Sequence, residues 1–164
     1  LAASAGSTVA NTVVTTGSAS ASDLNVGKIL AAKKALDAKN VPQGNRHFII
    51  HSNNLHALLG DERAISGDFQ NIRALVNGDL NTMLGFQFHV VGDRDEGGLS
   101  KDGSNDRTTF AFHQSAVGVA IGMPASTEIN YIAEKTSFLV TGKLSMGSVV
   151  IDTDGLVDVT CRES

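Results

Sequence analysis

Residues 46–61, RHFIIHSNNLHALLGD, change their period in the middle. Through His51 the residues are aromatic or β-branched, the pattern of a strand. It puts His47, Ile49 and His51 on one face and Phe48 and Ile50 on the other. From Ser52 onward Leu55, Leu58 and Leu59 take helical spacing, with Ser52 placed to cap the helix and Gly60 to end it. His56 belongs to that helix. A strand that runs straight into a helix is a unit of a mixed α and β protein.

Working outward, residues 22–42, SDLNVGKILAAKKALDAKNVP, precede this unit. Val26, Ile29, Leu30 and Leu36 follow helical spacing, Ser22 or Asp23 can cap the start, and Pro42 follows the stop. Lys33, Lys34 and Lys39 lie toward the C-terminal end, where the helix dipole favours cations. Downstream, a second short helix is predicted over Asp68 to Val76, closed by a turn at Asn77-Gly78. MLGFQFHVVG (83–92) reads as one strand, with Phe86, Phe88 and Val90 on one face. Residues 92–106, GDRDEGGLSKDGSND, form a long polar loop. In TTFAFHQSAVGVAIGMP (108–124) the large residues move from even to odd positions. That phase change requires a bulge or a short helical turn near His113 to Ser115. The remainder is rich in strand formers, and Asp154-Gly155 between SVVID and LVDVT reads as a hairpin turn. Residues 1–22 carry no charge before Ser22 and read either as a flexible lead-in or as a strand. The chain opens at Leu1 without Met and reads as a piece of a longer product.

The 164 residues suit one domain, and 41% are hydrophobic, enough for a packed core. Thirteen basic residues against 17 acidic ones give a net charge of -4. That balance argues against a nucleic-acid groove, which needs clustered Lys and Arg. The longest apolar run, Ala116 to Pro124, is too short to span a bilayer. Cys161 is the single cysteine, so no internal disulfide forms.

Three histidines close together raise the question of chemistry. His47 and His51 have the spacing of a helical zinc pair, but the glutamate of that motif is missing and both fall in the strand. His51 with Asp61 or Glu62 lacks a nucleophile or a third orienting group, since Ser52 reads as a cap and Ser66 as loop. The acidic loop with Asp93, Asp95, Glu96, Asp102 and Asp106 lacks the order of a calcium loop. No phosphate-binding glycine motif is present, and one tyrosine without tryptophan disfavours stacking on bases or sugars. The reading is therefore no enzyme, no catalytic or metal-binding residues and no cofactor. The alternative is a metal-assisted hydrolase using His47, His51 and His56.

The order of these elements resembles the C-terminal half of a tailed-bacteriophage major capsid protein, nearest to the podophage type. The resemblance rests on ILAAKKALDAKNVP, then RHFIIHSNNLHALLGD, then NGDLNTMLGFQFHVV, then FAFHQSAVGVAIG, and covers roughly residues 24 to 160. It implies an α+β chain of the Hong Kong 97-type capsid fold, an axial domain plus part of the peripheral-domain sheet. Within it, 1–22 is the lead-in, 23–124 the axial-type domain and 125–164 a β-rich segment returning toward the peripheral domain. It further implies self-association as pentamers and hexamers into an icosahedral head around double-stranded DNA, assembled in the host bacterial cytoplasm and resident in the virion. Scaffolding or decoration proteins are the other implied partners, with no specific nucleic-acid site and no membrane.

Overall fold

The computed structural model describes residues 5–60, 82–93, 98–99 and 101–163. The first strand, β1 (Ser7–Val9), lies inside the uncharged lead-in, so part of that segment is a strand. Helix α1 (Val26–Ala38) follows, capped by Asn25, whose side chain accepts from the Lys28 amide. Neither expected cap serves. Asp23 instead accepts from Leu24 N at 2.7 Å and Asn54 Nδ2 at 2.6 Å. The helix ends in a Schellman motif. Asn40 takes a left-handed φ of 57°, Val41 N bonds to Leu36 O at 3.1 Å and Asn40 N to Asp37 O at 3.0 Å.

The strand of the opening segment, β2 (Arg46–His51), runs into helix α2 (Ser52–Leu59). Their junction is capped by His51 rather than Ser52. The imidazole accepts from Asn53 N at 3.2 Å while Asn54 Oδ1 accepts from His51 N at 3.3 Å, which makes a reciprocal box. MLGFQFHVVG is not one strand but a hairpin, β3 (Thr82–Met83) and β4 (Phe86–Val91). Leu84 and Gly85 both have positive φ, 55° and 89°, which turns the chain in two residues. Val90 is half exposed, unlike Phe86 and Phe88 on its predicted face. The expected helix over Asp68 to Val76 and the Asn77-Gly78 turn lie outside the described residues.

Strand β5 (Asp106–His113) ends in a 3-10 turn, Gln114–Ala116, which is the phase change read from the sequence. β6 (Val117–Ile132) and β7 (Ser137–Val150) form a long ribbon, and β8 (Leu156–Arg162) closes the chain. Asp154-Gly155 does not make a hairpin. It sits in a 3-10 turn, Thr153–Gly155, and its flanking strands belong to different sheets. The Asx chemistry of the turn is satisfied, since Asp152 Oδ1 accepts from Asp154 N at 3.0 Å. Strand pairing is decided elsewhere, because β7 is already paired with β6.

The main sheet has the order β1-β8-β5-β2-β4-β3. β1 runs parallel to β8 and β2 parallel to β4, and the other pairs are antiparallel. α1 and α2 contribute to one core against the sheet. Phe48, Ile50, Phe86, Ala111, Val157, Val159 and Cys161 meet Ile29, Ala32 and Leu36 of α1 and Leu58 of α2. Phe48 stacks on Phe88 at 5.4 Å and meets Phe86 edge-on at 5.6 Å. Cys161 is sealed in this core, and burial pushes its thiol up to about 12. The second sheet is the β6–β7 ribbon alone. Residue 124 falls inside β6, and β8 lies within the main sheet between β1 and β5.

Candidate assembly surface and buried charge cluster

The three histidines of the opening segment do not converge. His47 lies on the sheet face away from the core, where Nδ1 is 3.0 Å from Nε2 of His89. The ring centroids are 5.2 Å apart, which is the hydrogen-bond length plus the two ring radii, so the imidazoles meet head-on. Burial, then the neighbouring His89 and His113, pull the His47 imidazole below its ordinary value. His51 is buried at the start of α2, and His56 is exposed on that helix. Among the described residues no three of His, Cys, Asp and Glu are grouped to hold a metal ion. Asp61, Glu62, Ser66, Asp95 and Glu96 lie outside those residues.

His51 belongs instead to a charge cluster at one end of the main sheet. Arg107 of β5 is fully buried and forks between two carboxylates. Its Nε and Nη2 donate to Glu163 at 2.6 and 3.3 Å, and its Nη1 and Nη2 donate to Asp93 at 2.6 and 3.2 Å. His51 Nε2 lies 3.5 Å from Asp93 and its Nδ1 3.7 Å from Glu163, and Lys101 reaches Glu163 at 3.3 Å. Burial works against the charged form of Glu163, but the bonds from Arg107, Asn53 and Lys101 overcome it and hold the carboxyl below its usual range. The Arg107 bond likewise holds Asp93 low. So Asp93 and Asp102 of the acidic loop are bound up in structure. Asp93 grips Arg107, and Asp102 Oδ1 accepts from Ser104 N and Asp106 N, each at 2.8 Å. This arrangement anchors loop to sheet. Arg46 does the same at the other end of β2, donating to Val41 O at 2.6 Å, Pro42 O at 2.8 Å and Asp37 at 2.7 Å.

The feature the sequence left unread is the ribbon. Directly opposed residues share a face, and the register opposes Tyr131 to Phe138, Ile129 to Val140 and Ile121 to Met146. Phe138 is 72% exposed and Ile129 67%. Tyr131 and Phe138 touch at 5.3 Å between ring centroids. The neighbouring positions Glu128 and Lys143 form an exposed pair at 2.7 Å. Apolar surface on this scale marks a contact site, and each ribbon strand has a neighbour on one side only among the described residues. The signal was present as long alternating runs, but alternation alone does not say whether a core or a partner covers the apolar side.

A mixed sheet backed by helices thus carries a two-stranded ribbon with exposed apolar side chains, and buried charges anchor loop and helix ends to the sheet. The family model described as phage capsid protein matches residues 2–163, and the chain belongs to that family. No curated protein matches it. Among solved structures it is similar to a chain of Mycobacterium phage Che8, with a TM-score of 0.62 and 21% identity over 94% of this chain and 53% of that one. It is also similar to the capsid of cyanophage P-SCSP1u, with a TM-score of 0.63 and 18% identity over 83% of this chain and 45% of that one. The acid-stable capsid of Helicobacter pylori bacteriophage KHP30 matches with a TM-score of 0.55 and 11% identity, over 86% and 60%. The chain spans about half the length of the first two. The fold is therefore the α+β Hong Kong 97-type capsid fold.

Proposed function

We propose that this chain, as part of its polypeptide, self-associates into the icosahedral head of a tailed phage around double-stranded DNA. The compact α/β body serves as the axial part, with residues 1–22 as a lead-in whose strand β1 edges the sheet. The ribbon from Val117 to Val150 serves as the peripheral sheet. The finished protein resides in the virion after assembly in the host bacterial cytoplasm, as pentamers and hexamers, with scaffolding or decoration proteins as further partners. It performs no catalysis and holds no cofactor. The observation that carries this reading is the capsid-family match across residues 2–163 of a chain whose apolar ribbon lies bare. Repeated contacts between copies close into a shell when the rotation between neighbours closes. The slight net acidity of -4 suits a wall that does not grip packaged polyanion.

The test is negative-stain microscopy and light scattering of the intact gene product. Closed shells or capsomer rings are expected. A monodisperse monomer at high concentration refutes the reading.

A further inference from the structure

The ribbon leaves the body through one crossing point. The Gln114–Ala116 turn carries the chain out and residues 151–155 bring it back. Ala116 O accepts from Ile151 N at 2.8 Å and Asp152 N at 3.3 Å, and Gln114 N donates to Asn45 O at 3.1 Å. A side chain caps this turn. Nδ1 of His113 accepts from Ser115 N at 3.2 Å and sits 2.7 Å from Ser115 Oγ. An imidazole accepts at Nδ1 only while that nitrogen is unprotonated.

We propose that the root of the ribbon is an acid-sensitive hinge, in which proton uptake at Nδ1 of His113 removes the cap on the Gln114–Ala116 turn and frees the ribbon to swing against the main sheet. The hydroxyl contact survives protonation with its roles reversed, since Nδ1–H then donates to Ser115 Oγ. The amide bond does not survive.

The surroundings set His113 apart from the other capping imidazole. His51 lies between Asp93 and Glu163, whose charges offset a proton gained there. On the strand side His113 is opposite Arg46 in register, next to His47 and beyond it His89, all cationic when protonated. On the turn side, Thr153–Gly155 packs against Gln114–Ala116 and brings Asp152 and Asp154, with Lys39 beside them. Both carboxylates are engaged, Asp152 by the Asp154 amide and Asp154 by Lys39 at 3.1 Å. Histidine is the side chain whose charge ordinarily changes between pH 5 and 8, which sets the two pH values of the test. The inference stands on the root geometry and does not require that the chain build shells.

The test is amide hydrogen exchange of the chain at pH 8 and pH 5, with intrinsic exchange rates divided out. Protection at Ser115 and Ile151 is expected to fall about five-fold on acidification, the population change that loss of a typical cap brings. Ala111 in β5 is expected to hold its protection. His113→Asn and His113→Ser keep an acceptor at the cap without titrating, and in both the fall is expected to vanish. His89→Gln is expected to leave the fall intact. Unchanged protection at Ser115 in the wild type overturns the proposal. So does an equal fall in the His113 variants, or a fall abolished by His89→Gln.

Discussion

Replacing Arg107 by methionine separates the two carboxylates that it holds. Asp93 is well exposed, so water replaces the lost guanidinium there and that half adds little. Glu163 is 6% exposed and has no such recourse. Its remaining donors are Lys101 Nζ at 3.3 Å and Asn53 Nδ2 at 3.4 Å, both long. Breaking one side of a buried pair costs roughly 3–5 kcal/mol, and the surviving lysine places this case near the lower end, about 3 kcal/mol. Urea denaturation followed by circular dichroism reads this as a midpoint lowered by roughly 1–3 M. The double variant Arg107→Met/Glu163→Leu removes the stranded charge and is expected to recover to within about 1 kcal/mol of wild type at pH 7.

The effect carries a pH signature. With Arg107 present, the Glu163 carboxyl titrates below its unfolded value. The stability it contributes is therefore full above the ordinary glutamate range and is lost as pH falls through the folded value. Arg107→Met lacks that contribution, so its deficit is largest at pH 7 and narrows toward pH 3. A loss under about 1 kcal/mol at pH 7, or a double variant less stable than the single one, refutes the reasoning.

Three further outcomes follow from the packing. Asp158 is buried with Oδ1 lacking a partner among the described residues, and burial pushes its carboxyl up to about 6. Because the folded value is raised, stability falls as pH rises from about 3.9 to about 6, so Asp158→Asn should gain up to about 3 kcal/mol at pH 7 and little at pH 4, read from thermal melts. Leu58→Ala removes a core side chain that is 1% exposed and should cost about 2–5 kcal/mol by chemical denaturation. Gly155→Ala would place a Cβ 2.6 Å from that of Ala116, so it should cost about 1–3 kcal/mol and raise amide exchange at Ile151.

Elements whose information lies within a few residues were legible. The β2–α2 unit appears where the period changes at His51, and α1 stops where Asn40, Val41 and Pro42 follow it. The phase change in TTFAFHQSAVGVAIGMP located the Gln114–Ala116 turn. Caps were misassigned by one to three residues. Ser52 and Ser22 are good caps in general, yet His51 and Asn25 hold the geometry, and propensity does not see which side chain has a free acceptor. The hairpin at Leu84-Gly85 was missed because leucine is a poor signal for a positive φ. The Asp154-Gly155 error has another origin. The dipeptide dictates a turn, but the partner of each strand is chosen across the whole chain.

From residues alone came the mixed class, the principal helices and strands, and the resemblance to capsid proteins. These are local periodicities, or an order of such periodicities along the chain. Tertiary structure decided that Ser7 pairs with Val157, that Arg107 reaches Glu163 and that β6 and β7 project as a bare ribbon. Those choices depend on which distant surfaces exclude water together, a property of the assembled sheet that no window of sequence contains.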